Sequence, residues 1–213
     1  MKYPELSNFL LVFSGVCWMA VYVESVRVGF RDRSYAMPFW ALGLNFAWEV
    51  MHSVLAWQLE GLALQVVINI IWAGLDIIVL FTYFRFGRRY FNGGMAGFLL
   101  WSLLVLGVSF VIQYSFVVEF GVYHGRAYAA FLQNLLMSLL FIDMLSKRRS
   151  DEGQSLLIAI CKWLGTLAPT LLFGVLGTEV FNGPNHFLLV IGLLCSLFDI
   201  IYIALLVRTR NHE

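Results

Sequence analysis

Seven apolar runs of at least 18 residues, parted by short polar breaks, decide what this chain of 213 residues can become. They extend from Phe9 to Val26, Ala36 to Trp57, Leu64 to Phe84, Gly94 to Val118, Tyr128 to Leu145, Ser155 to Gly177 and His186 to Val207. Each lies near the ~20 residues that a helix rising ~1.5 Å per residue needs to cross a ~30 Å hydrocarbon core. Membrane barrel strands are about half that length and alternate apolar with polar positions, which these runs do not. With 61% hydrophobic and 13% charged residues, the chain carries more apolar surface than a soluble domain of this length can bury. The pattern predicts an all-α, multi-pass membrane protein, a bundle of seven transmembrane helices in one domain over residues 1–213, with no extramembrane domain.

Orientation follows from the cations. Eleven of the fourteen Lys and Arg fall after the first, third and fifth runs and in the tail: Arg27, Arg31, Arg33, Arg85, Arg88, Arg89, Lys147, Arg148, Arg149, Arg208 and Arg210. Lys2 and Arg126 belong to the opposite side, and Lys162 sits inside the sixth run. Basic loops stay cytoplasmic. The amino terminus is therefore expected outside or lumenal and the carboxyl terminus in the cytoplasm, in a bacterial cell membrane or the endoplasmic reticulum. Lys2 is followed by Pro4-Glu5, and the first run lacks a small-x-small site, so it is expected to remain as a helix rather than be cleaved. A net charge of +1 leaves no nucleic-acid footprint. Cys17, Cys161 and Cys195 lie within runs and without CxxC spacing, as packing residues do.

Three carboxylates sit in the middle of apolar runs: Glu49, Asp76 and Asp199. Each costs roughly 2.5–3.5 kcal/mol to insert, so each is a functional-site candidate by default. Two of them sit in near-repeats, Asn45-Phe-Ala-Trp48-Glu49 and Asn69-Ile-Ile-Trp72-x3-Asp76. Helical spacing puts Asn45, Trp48, Glu49 and His52 on one face, Asn69, Trp72 and Asp76 on another, and Cys195, Ser196, Asp199 and Tyr202 on a third. Ser102, Ser109 and Gln113 form a stripe in the fourth run, and Gln133 and Asn134 add to the fifth. Polar intramembrane residues face the bundle interior, so these stripes are expected to converge. At ~1.5 Å per residue, Glu49 lies ~12 Å below the outer helix ends, with Asp76 and Asp199 roughly 18–20 Å below them. The plainer reading of Asn45, Asn69, Gln133 and Asn134 is hydrogen bonding between helices. Lys162 either pairs with one acid or snorkels to the cytoplasmic surface. His52, one turn from Glu49, reads equally as a hydrogen-bond partner, a proton relay or an interfacial histidine. Glu119, Asp143 and Glu179 lie near helix ends, within reach of water.

A carboxyl in an apolar cavity has its charged form disfavoured, keeps its proton and serves as a general acid, while a better hydrated one stays ionised and accepts a proton later. Trp and Tyr faces attract cations. Acid, aromatic walls and dryness suit carbocation chemistry on a lipophilic substrate.

Seven short helices, the Asn45-x-x-Trp48-Glu49 pattern, an Asp in the third run, and Asp199 with Tyr202 in the seventh resemble the small integral-membrane terpene cyclases. That family was defined by fungal meroterpenoid and indole-diterpene pathways and has bacterial relatives acting on prenylated indole compounds. The resemblance implies two essential acids, at Glu49 and Asp199. It implies a reaction in which an epoxide or alkene on a farnesylated or similar hybrid isoprenoid is protonated, the cation closes rings, and a proton is lost. On this reading Glu49, Asp199 and Asp76 are the catalytic candidates, with Glu49 as the acid and Asp199 or Asp76 orienting it or stabilising charge. Asn45, Trp48, His52, Asn69, Trp72, Gln113, Gln133 and Tyr202 are the substrate-binding candidates. The DxDD and DDxxD motifs of soluble cyclases are missing, so neither a metal nor a cofactor is expected. The expected partners are a lipophilic prenylated substrate and membrane lipid. The alternative is a proton-coupled small-molecule transporter, since buried Asp, Glu and His also mark proton paths. Against it, transporters show internal repeats and broken helices, and only Pro169 falls well inside a run.

Overall fold

A computed structural model describes residues 4–61 and 64–211. Among these residues the regular elements are helices: α1 Pro4–Arg31, α2 Phe39–Glu60, α3 Leu64–Phe86, α4 Met95–Arg148, α5 Leu156–Leu171 and α6 His186–Arg210. Hydrocarbon offers no partner to a free peptide group, so a run of this composition closes its backbone bonds within itself. The ends carry local signals. The Ser155 hydroxyl caps α5 by accepting from the Leu157 N–H at 3.2 Å, and Asn185 Oδ1 caps α6 by accepting from Leu188 at 3.0 Å. Just past Pro169, α5 loosens into a π turn over Leu172–Leu176, as expected where proline removes a helical donor.

The expectation of seven separate spans is met in part. Among the described residues five helices are long and apolar enough to cross a membrane: α1, α3, α4, α5 extended by its π turn, and α6. The second run forms α2, whose apolarity is diluted by Asn45, Trp48, Glu49, His52 and Ser53. It compensates by burying that stripe: Asn45, Glu49, His52 and Ser53 are all buried, and α2 packs chiefly against α4 and α3. The fourth and fifth runs form α4, two helical limbs, 95–120 and 122–148, that join directly at Gly121 with no separate loop between them. It is not straight. Gln113 Nε2 donates to Gln133 Oε1 at 2.7 Å, whereas twenty residues of straight helix would span ~30 Å. The reversal occurs at Gly121, whose φ of 74° and ψ of 171° lie where side chains are excluded. A Cβ on Gly125 would collide with the Phe116 carbonyl oxygen, so glycine also lets the two limbs, 95–120 and 122–148, meet at the bend.

The remaining contacts join α1 to α5 and α3, and α6 to α5 and α4. Val21, Val28, Leu42, Phe98, Phe141 and Ile158 belong to the main core. Leu100, Leu103, Val111, Leu197 and Ile200 point outward and are exposed. An apolar exterior of this extent is what lipid solvates and water does not.

The basic breaks gather at one end of the bundle. The Arg148 guanidinium lies 4.4 and 4.5 Å from the ring centroids of Tyr35 and Tyr90, and donates to the Tyr35 and Glu152 carbonyls at 3.1 and 2.7 Å. The Gly153 N–H donates to Asp32 at 2.9 Å, Arg89 pairs with Glu152, and Arg210 pairs with Asp151 at 3.1 Å. Breaks distant in sequence are thus stitched together where the cations are densest. Lys2 lies outside the described residues.

Candidate active site

Three helices meet around the side chain of Asn45. Its Nδ2 donates to Asp76 Oδ2 on α3 at 2.9 Å, to Glu49 Oε1 one turn along α2 at 3.0 Å, and to the Tyr22 hydroxyl on α1 at 2.5 Å. Tyr22 in turn donates its hydroxyl proton to Glu49 Oε1. Glu49 is 1% exposed and Asp76 0%, so two carboxyl groups share one amide in the bundle interior. Gln133 Nε2 reaches Asn45 Oδ1 at 3.4 Å, and Gln113 supports Gln133 while also donating to the Leu44 carbonyl at 3.1 Å. The chain Gln113–Gln133–Asn45 links both limbs of α4 to the acids. Buried amides are high-stakes groups in a low dielectric, and this one is satisfied on most sides.

Glu49, Asn45 and Tyr22 open onto a cavity of about 270 Å³. Its walls are rich in aromatic rings, among them Trp18, Tyr22, Trp48, Trp72, Phe173 and Phe181. Trp18 and Trp72 flank the Tyr22 ring, with centroids 6.4 and 6.0 Å away. Trp48 is held by its indole N–H, which donates to the Arg126 carbonyl at 3.0 Å. That bond fixes the ring of α2 against the second limb of α4. Among the described residues no group of three or more His, Cys, Asp or Glu is placed to hold a metal ion.

Sequence reasoning expected the polar stripes to converge, and the structure brings part of them together. Glu49, Asp76, Asn45, Trp48, Trp72 and Gln133 meet at the cavity or one bond from it, with Gln113 behind them. His52 stays out of the hydrogen-bond network: it is buried, with its ring 5.1 Å from that of Trp48. Asn69 is buried on α3, two turns before Asp76. Tyr202 lies elsewhere, packed on Phe141 with its hydroxyl donating to Gln154 at 2.9 Å. Ser102 and Ser109 bond back to their own helix carbonyls at 2.7 and 2.8 Å.

Asp199 does not join the cluster. Its Oδ1 accepts from Lys162 Nζ at 2.7 Å, and Lys162 also donates to the Ser138 hydroxyl at 2.7 Å. All three side chains are essentially inaccessible. Of the two outcomes open for Lys162, pairing is the one found. The pair sits one helical turn from the cavity, since Ser138 follows Asn134 by four residues and Lys162 precedes Thr166 by four, and both of those line it. Tyr22 and Trp18 escaped the sequence reading. The available signal was an aromatic pair four residues apart in a run that also carries Ser14 and Ser25.

A family model described as Pyr4-like transmembrane terpene cyclases matches residues 1–212. The chain belongs to that family. Among its relatives, the Pyr4-family terpene cyclase mfmH of Annulohypoxylon moriforme is 29% identical over 185 residues, covering 80% of this chain and 71% of that protein. Terpene cyclase pyr4 of Aspergillus fumigatus is 26% identical over 215 residues, covering 98% and 88%. Terpene cyclase nodB of Hypoxylon pulicicidum is 24% identical over 189 residues, covering 84% and 76%. No solved structure matches. As a Pyr4-like transmembrane terpene cyclase the chain is a multi-pass integral membrane protein, and the aromatic cavity takes its place as the candidate site of a lipophilic substrate.

Proposed function

We propose that this chain catalyses proton-initiated cyclisation of the prenyl chain of a farnesylated or similar hybrid isoprenoid, with Glu49 as the acid. The observation that carries the reading is a buried carboxyl on the wall of a cavity rich in aromatic rings, tied through one amide to a second carboxyl. Neutral Glu49 gives its proton to an epoxide oxygen or terminal alkene of the substrate. The electron pair of the opening C–O bond goes to oxygen, or the alkene pair forms the new C–H bond, and a carbocation remains. Neighbouring alkenes close rings by donating their π pairs, and a final C–H proton leaves to a base, restoring an alkene. Product and substrate are isomers. Asp76 holds Asn45 in place and is the nearest group able to share or replace the proton. Trp72, Trp48 and Trp18 supply the faces that a passing cation needs.

Asp199 receives a different role from that implied by the resemblance. Paired with Lys162, it braces α6 against α5 and α4, one helical turn from the cavity. In this reading the protein is one membrane domain crossing seven times, with α2 and both limbs of α4 counted as crossings, and the amino terminus faces away from the cytoplasm. The gathering of basic residues at a single end of the bundle supports that orientation. Transport has weaker support, because the relatives are named as cyclases.

The test is mass spectrometry of membranes containing the chain, incubated with farnesylated and epoxyfarnesylated aromatic compounds. A new product of unchanged mass and shifted retention is expected; no isomer from any probe, in membranes holding folded protein, would overturn the proposal and turn attention to flux in proteoliposomes. Trp48→Leu adds a second check. Loss of a desolvated cation–π contact of about 2 kcal/mol corresponds to roughly a thirtyfold slower reaction, accompanied by prematurely quenched products. Unchanged rate and product in that variant would reduce Trp48 to packing.

A further inference from the structure

We infer that Tyr22 is the positioning residue of the acid: its hydroxyl holds Glu49 Oε1 and so fixes the transferable proton on Oε2. The inference rests on the reading of Glu49 as acid. It starts from a count of hydrogens. Asn45 Nδ2 carries two, yet faces three acceptors, the Tyr22 hydroxyl, Glu49 Oε1 and Asp76 Oδ2. The amide alone does not satisfy the cluster. Tyr22 supplies the missing donor, accepting from Asn45 and passing its own proton toward Glu49 Oε1. Oε1 is thus held as an acceptor by the Tyr22 hydroxyl, with the Asn45 amide also within reach. Oε2, by contrast, meets no donor among the described residues. In neutral Glu49 the proton therefore belongs to Oε2, on a side chain that lines the cavity.

The same bond serves the step that follows. As the proton leaves, negative charge spreads over both carboxyl oxygens, and a donor already in place stabilises it without reorganisation. A hydrogen bond to an ionised acceptor is roughly twice as strong as one to a neutral acceptor, so the phenol favours the state after transfer over the state before it. Tyr22 makes and breaks no covalent bond. Its placement is over-determined: the ring is 1% exposed and its hydroxyl sits at the Asn45–Glu49 junction. A residue that only filled space would need the ring and not the hydroxyl.

The experiment uses the full chain in micelles, with Tyr22→Phe and with 3-fluorotyrosine placed at position 22. The fluorinated ring keeps size and hydroxyl, and so covers the case in which the Phe variant does not fold. Infrared difference spectra identify the Glu49 carboxyl C=O band as the one lost in Glu49→Gln. In Tyr22→Phe that band is expected to move to higher frequency, and with 3-fluorotyrosine, a stronger donor, to lower. On the farnesylated and epoxyfarnesylated probes, kcat is expected to fall roughly 10- to 100-fold in Tyr22→Phe. KM and the product are expected to stay unchanged, since the substrate pocket keeps its ring. A band unmoved by both substitutions, or a kcat for Tyr22→Phe equal to wild type, overturns the inference. Wild-type protein without turnover on any probe sinks the cyclase reading instead, while the band still decides whether Tyr22 holds Glu49.

Discussion

Glu49→Gln is expected to leave the protein folded and to abolish product. The substitution keeps the shape of the side chain and its carbonyl oxygen, so the hydrogen bonds from Tyr22 and Asn45 survive. What disappears is the transferable proton, because an amide N–H is far too weak an acid to protonate an epoxide or an alkene. Positioned general acids contribute typically ~10²–10⁴-fold, and a reaction that begins with proton transfer depends on that factor entirely. Rates measured by mass spectrometry should therefore fall at least a hundredfold, with thermal unfolding in micelles close to wild type. Turnover within a fewfold of wild type would remove Glu49 from the mechanism. Equal losses of stability and turnover would make it a brace.

The second large effect concerns the pair that the cavity does not use. Lys162→Met is expected to destabilise the protein by roughly 3–5 kcal/mol, because it strands Asp199 unpaired and away from water. Asp199→Leu strands Lys162 in the same way. Replacing both with apolar residues of similar volume removes the desolvation cost along with the attraction, and such double replacements are often neutral or stabilising. The doubly substituted chain should thus unfold at a higher temperature than either single variant. Additive losses would show that the two residues work independently. Turnover then separates the two roles for Asp199. A brace predicts that activity returns with stability in the double variant. A second acid predicts a stable, inactive protein.

Much of the arrangement was legible in the chain. The Asn45–Glu49 and Asn69–Asp76 patterns placed two carboxylates on interior faces because helical periodicity survives whatever the tertiary context. That rule also found Gln113 and Gln133, which touch from opposite limbs of one helix. It failed at Tyr22, since a lone tyrosine in an apolar run reads as lipid-facing or interfacial. The pairing of Asp199 was not legible for a related reason. Its partner lies 37 residues earlier, on another helix, and no local pattern encodes a pairing of that separation. The bend at Gly121 was hidden as well: a glycine among apolar residues looks the same whether it sits in a straight helix or reverses one.

The positions of these groups along the chain also order their assembly. Tyr22, Asn45, Glu49 and Asp76 all belong to the first three helices, so both acids and the two donors to Glu49 have been synthesised by residue 76, ahead of Gln113 and Gln133. Lys162 and Asp199 belong to the last two. During synthesis the cluster can close while the rest of the chain is still on the ribosome, whereas Lys162 waits for α6 before it meets its counter-charge. A chain truncated ahead of α6 would carry an uncompensated cation among apolar side chains. Synthesis of α6 thereby becomes the event that supplies the counter-charge to the buried Lys162.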